Sequence, residues 1–116
     1  MKRKYFPRMP EWVVSELNER LVNEGLDFGY PFGKVDFHHA ILPKSAVMGL
    51  PDSEKVKIHN PCNILLIEHG FHLSQPVPTG VEAARVLYAI YGKPAVQAWY
   101  DSICWTNGQP FELPED

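Results

Sequence analysis

The sequence predicts a small α+β domain, and three observations carry that expectation. Two short apolar runs of strand character, one ending near His38 and one covering Ile64 to Ile67, lie in the middle of the chain. Helical periodicity brackets them, once before residue 25 and twice after residue 79. At 116 residues the chain is one domain, able to bury roughly two-thirds of the surface its unfolded form exposes.

The first helix is expected within MPEWVVSELNERLVNEG, residues 9–25. Pro10 suits its first turn and Gly25 the position just past its end. Val14, Leu17 and Leu21, with Val13 alongside, make one apolar face for a core. The turn-rich LDFGYPFG follows, and KVDFHHAIL then alternates as a short strand ending near His38. Residues 43–62 hold three prolines and Gly49 and show little periodicity, so they read as a long loop. Loops of that length inside a compact domain are usually functional. NILLIEHG supplies the second strand, Ile64 to Ile67. EHGFHLSQ opens a short helix that Gly70 weakens and Pro76 and Pro78 stop. Thr79 and Glu82 have capping-box spacing. Val81, Ala84, Tyr88 and Tyr91 then trace a helical face that Gly92 ends. Pro94 restarts a helix with Val96, Trp99, Tyr100 and Ile103 on one side. Residues 106–116 read as loosely ordered.

Composition excludes some classes. The chain is 45% hydrophobic and 22% charged, ordinary for a soluble protein. No apolar run approaches the roughly 20 residues that span a bilayer, and the basic start lacks the apolar stretch of a signal peptide. An intracellular, cytoplasmic location is the expectation. Cys62 and Cys104 form no C-x-x-C motif, so free thiols are expected and a thiolate zinc site is not. The net charge is −3, but Lys2, Arg3, Lys4 and Arg8 put four positive charges in the first eight residues, leaving −7 on the rest. Lys34, Lys44, Lys55 and Lys57 form a second basic group. Phosphate contacts need local positive charge rather than a positive total.

All five histidines fall between His38 and His72. His38 and His39 stand together at the exit of the first strand, where neighbouring side chains diverge. Two imidazoles there can take different tasks, one binding a metal and the other accepting a proton. Asn63 opens the second strand, and His72 follows it by nine residues, in the short helix.

FHHAILPKS followed by NPCNILLIEHGFHLSQ resembles the HNH nucleases of the His-metal finger (ββα-metal) group. That pattern is Asp-His or His-His at a strand end, a loop, an Asn, a short apolar strand, and a helix bearing a metal-binding His. The resemblance covers roughly residues 34–75, and residues 79–104 are similar to the two-helix tail of small phage-type members. It implies a ββα-metal core over 34–75 with an N-terminal helix and two C-terminal helices. A basic arm (1–9) precedes the core, and residues 105–116 form a loose tail. It also implies metal-dependent hydrolysis of phosphodiester bonds in DNA. His39 would be the general base, and His38 and His72 would hold one divalent cation. His69 is a further candidate ligand. Asn63 would brace the loop or the base. Magnesium or manganese is the expected ion, and two imidazoles would also accept nickel, cobalt or zinc. The structural zinc of many relatives, held by two C-x-x-C pairs, has no counterpart here.

Lys44, Lys55 and Lys57 are candidate phosphate contacts beside the site, with a solvated loop surface as the equal alternative. Lys2, Arg3 and Lys4 are candidate DNA contacts from the arm. His59 reads as incidental, Cys62 as a small buried residue, and Trp99 and Trp105 as core in preference to base-stacking platforms. The leading expectation is a nicking endonuclease with weak sequence preference, phage-encoded in a bacterial host and working beside a partner such as a DNA-packaging terminase. One rival is a non-catalytic metal-binding or protein-interaction module that keeps the finger for stability. Another is a metallohydrolase acting on RNA or a small phosphoester.

Overall fold

The structure, a computed structural model, describes residues 6–23 and 35–115. The expected turn over residues 26–33, Lys34, and the arm residues Lys2, Arg3 and Lys4 lie outside the described residues. The described residues form an α+β fold of two strands and five helices: α1 (Glu11–Asn23), β1 (Val35–His39), α2 (Asp52–Lys55), β2 (Ile64–Glu68), α3 (His69–Ser74), α4 (Gly80–Tyr91) and α5 (Lys93–Asp101).

β1 and β2 pair antiparallel, with His39 opposite Ile64, His38 opposite Leu65 and Asp36 opposite Ile67. Because side chains alternate along a strand, this register sorts the ribbon into two faces. Ile64, with Phe37 and Leu66, packs against Val13 and Leu17 of α1. Leu65 and Ile67 enter the larger core with Leu42, Val47, Ile58, Leu87, Val96 and Tyr100. Each of these large apolar side chains contributes about 1.5–3 kcal/mol when fully buried. Of the apolar positions of α1 that the sequence singled out, Val13, Leu17 and Leu21 are buried, whereas Val14 is only half-buried.

Four expectations need correction. Residues 43–62 are not an unstructured loop. They run through 3-10 turns at Lys44–Val47, Val56–His59 and Pro61–Asn63, with α2 between them. The prolines open these turns rather than break structure: Pro43 and Pro51 are N-caps, and Pro61 is a first helical residue. The segment is tied to α5 and the residues after it. The Trp99 indole donates to the Lys57 carbonyl at 2.8 Å, Lys57 donates to the Ser102 carbonyl at 2.6 Å, and Cys104 N–H donates to Glu54 at 2.8 Å.

Of the expected α4 face, Ala84 is buried and Tyr88 and Tyr91 pack half-buried on the core, but Val81 is exposed, and Ala83 and Leu87 complete the buried face. Thr79 occupies the N-cap but makes no side-chain cap bond; the Gly80 N–H instead donates to the Ala40 carbonyl at 2.9 Å. A contact to Ala40, the residue just after β1, thus replaces the capping box. Gly92 does end α4, at φ 90°, a conformation that disfavours any residue with a Cβ, and Pro94 lies in the first turn of α5.

The C-terminal segment is not loose. Tyr88 donates to the Pro114 carbonyl and Tyr100 to the Phe111 carbonyl, while Phe111 and Leu113 pack on the main core. Both cysteines are free, and burial pushes the Cys62 thiol up to about 11. Among the described residues, no helix is long and apolar enough to cross a membrane.

Candidate functional site

The two strand faces divide the histidines into two groups. Asp36 and His38, two residues apart, share one face. α3 starts directly after β2 because Glu68 caps it: its carboxylate accepts from Gly70 N–H at 3.1 Å and Phe71 N–H at 2.7 Å. Gly70, a weak point for a helix by propensity, is what lets that carboxylate close in. A Cβ there would stand 3.1 Å from a Glu68 oxygen. The sharp turn lays α3 back against β1, and His69 and His72, one helical turn apart, meet Asp36. Nδ1 of His69 lies 2.9 Å and Nδ1 of His72 lies 2.8 Å from the same oxygen, Oδ2 of Asp36. These bonds hold the Asp36 carboxyl below the usual carboxylate range, His72 contributing most. The His38 and His72 rings lie 5.1 Å apart between centroids.

The hydrogen-bond partners decide which ring nitrogens carry lone pairs. A carboxylate only accepts, so neutral His69 and His72 donate through Nδ1–H, and their Nε2 atoms keep the lone pairs. A carboxylate behind a histidine is the usual means of orienting a metal-binding imidazole. His38 Nε2 lies 3.3 Å from the Pro78 carbonyl, which also only accepts, so the lone pair of neutral His38 is on Nδ1. Burial lowers the pKa of His38, which keeps it uncharged near neutrality. Among the described residues, no three His, Cys, Asp or Glu side chains converge as a ready metal-binding group. What is present fits a two-imidazole site: His38 and His72 adjacent, each with one free lone pair, and Asp36 steering His72. Such a site suits an ion that completes its shell with water and phosphate oxygens.

On the opposite face, His39 Nε2 lies 2.9 Å from His59 Nδ1, and His59 Nε2 lies 2.7 Å from the Pro7 carbonyl. His59 is 4% exposed and is wedged edge-on against Phe6. The expectation that it is incidental therefore gives way. It is a buried polar side chain with both nitrogens bonded, one of them to His39. Burial lowers the His39 pKa to about 4, helped by the nearby His59, Lys44 and His38. The His59 pKa is lowered chiefly by burial as well.

Asn63 has no exposed surface, so it touches no substrate and is not a catalytic residue in that sense. Its carbonyl oxygen accepts from Ile41 N–H at 2.9 Å and Leu42 N–H at 2.8 Å. Its amide donates to the carbonyls of Leu42 and Ile58, both at 2.9 Å. Of the two expected duties, it braces the loop; all four of these bonds go to backbone.

The loop lysines separate. Lys57 pairs with Glu54 at 2.8 Å and bonds Ser102, and Lys55 stands 3.7 Å from Asp52. Lys57 is thus a structural tie, neither a free phosphate contact nor a merely solvated charge. Lys44 is exposed, with its ammonium 5.2 Å above the Phe6 ring, close enough to depress the His39 and His59 pKa values. Trp99 is buried in the core, as expected. Asp36 was not among the residues that the sequence singled out, and His59 was set aside as incidental. The i, i+2 spacing of Asp36 and His38 in a strand was an available signal; nothing local pointed to His59.

Compared with family models, curated proteins and solved structures, the chain matches none.

Proposed function

We propose that this chain is a metal-dependent endonuclease of the HNH type, with a ββα-metal core formed by β1, β2 and α3, hydrolysing phosphodiester bonds in DNA. The observation that supports the reading is the placing of two adjacent imidazoles at the end of β1. His38 stands beside His72 on one face, and His39 carries on the other an imidazole that burial keeps uncharged, its pKa lowered to about 4. Asn63 supports the reading by holding rigid the segment just after the two histidines.

In this reading His38 and His72 hold one divalent ion, and Asp36 and His69 steady His72 from behind. When bound, the ion supplies Lewis-acid stabilisation of charge on the phosphate and the leaving oxygen. His39 takes a proton from a water, which attacks phosphorus as the bond to the 3′ oxygen breaks, leaving 5′-phosphate and 3′-hydroxyl ends. Lys44 is placed to meet a backbone phosphate. A chain of this size reads little sequence, so a DNA-processing partner such as a terminase would supply the choice of target.

One observation favours the rival reading, a non-catalytic binding or interaction module. His39 is tied into a buried chain with His59 and Pro7, as a purely structural histidine would be.

Plasmid nicking separates the two. Supercoiled DNA is incubated with wild type and His39→Ala, in EDTA and in magnesium, manganese, nickel, cobalt and zinc. Metal-dependent nicking should fall about 100-fold or more in the variant, the scale of a lost general base. Equal nicking by both proteins would remove His39 from the reaction. Absence of cleavage in every ion, from protein that binds metal, would favour the binding module.

A further inference from the structure

The chain His39–His59–Pro7 has a direction. A peptide carbonyl can only accept, so neutral His59 must donate to Pro7 through Nε2–H. Its Nδ1 then carries the lone pair and can only accept. His39 must therefore donate to it through Nε2–H, which leaves the His39 lone pair on Nδ1. One carbonyl in the arm sets the tautomers of two imidazoles in series. Phe6 holds the His59 ring edge-on at 5.7 Å, and His59 is buried.

We propose that His59 is a positioning residue: it fixes His39 in the Nε2–H tautomer and so makes Nδ1 the basic nitrogen. This rests on His39 being the base of the proposed nuclease. The role parallels that of a group orienting a catalytic histidine from behind, filled here by a second histidine whose own tautomer is dictated by backbone. A general base works only if its lone pair, rather than its N–H, faces the proton to be removed. Without His59, neutral His39 would divide between two tautomers, one of them with the proton on the working nitrogen.

The test has a readout independent of activity. In full-length protein labelled with 15N, long-range imidazole proton–nitrogen correlations at pH 7 report which nitrogen of each histidine is protonated. Wild-type His39 should be the Nε2–H tautomer. His59→Gln, whose amide can still accept from His39 and donate to Pro7, should keep it. His59→Phe fills the space without either bond and should lose it. Nicking kcat should fall about tenfold to 100-fold in His59→Phe with the KM for DNA unchanged, and His59→Gln should recover most of the loss. Wild-type His39 protonated on Nδ1 would overturn the proposal without any variant. So would an unchanged tautomer or unchanged kcat in a folded His59→Phe protein. The expected tautomers in a wild-type protein that never nicks DNA would instead overturn His39 as a base, with the tautomer relay intact.

Discussion

Asn63 shows how much one side chain can settle. Its amide replaces backbone pairing for the residues just after β1, bonding Ile41, Leu42 and Ile58 where no water reaches. Asn63→Ala would strand two buried N–H groups and two carbonyls. At about 1–3 kcal/mol for each unsatisfied group, with partial relaxation, the loss should be about 3–5 kcal/mol. Urea unfolding followed by tryptophan fluorescence would measure it; a loss under about 1 kcal/mol would mean that the brace is dispensable. At this scale the sequence was only partly readable. Asn63 was singled out by its distance from His72. That its bonds go to the loop rather than to His39 follows from where the 3-10 turn at Val56–His59 lies, which is not a local property.

At the scale of elements, β1 carries acid-sensitive groups on both faces. The folded chain holds His39 near 4 against an ordinary 6.5, and lowers the His38 and His59 values, in each case chiefly through burial. The unfolded chain therefore takes up protons that the folded chain refuses as pH falls from 6.5 toward 4. Stability from these groups is fully present above the unfolded value and is lost across that window. Asp36 acts with the same sign but lower on the scale. Its carboxyl is held down by His72 and His69, so its contribution disappears as the carboxyl protonates below the ordinary carboxylate range. In EDTA, the Tm should fall steadily between about pH 6.5 and 4. A flat profile across that window would show that the histidines are not buried as described. The strands and main helices were legible because period-2 and period-3.6 patterns are local. Residues 43–62 were not, because short 3-10 turns have no such period and here depend on ties to α5 and the segment after it.

At the scale of the whole molecule, the arm has two distinct parts. Phe6 and Pro7 contact His59, whereas Lys2, Arg3 and Lys4 contribute charge. Deleting residues 1–8 would remove both at once. Replacing only Lys2, Arg3 and Lys4 by Ala isolates the charge. That variant should bind DNA more weakly, with the slope of log K against log salt reduced by about 2–3, since each phosphate that a cation neutralises adds about 0.9 to it. Fluorescence anisotropy across a salt series would give the slope, and an unchanged slope would take the arm out of the interface. With Lys57 committed to Glu54 and Ser102, Lys44 is the loop lysine best placed beside His39.

The sequence by itself determined the order of the two strands and of α1, α3, α4 and α5, most of the apolar face of α1, the strand exit bearing His38 and His39, and the spacing from Asn63 to His72. All of these are short-range facts, set by periodicity, turn chemistry and residue identity. Only the tertiary structure decided that Asp36 gathers His69 and His72, that His59 stands behind His39, that Lys57 is a tie, and that the final segment is pinned by Tyr88 and Tyr100. Most of these contacts join residues 20 or more positions apart. Their formation depends on how the ribbon, the 3-10 turns and α3 pack together, and no local pattern encodes that.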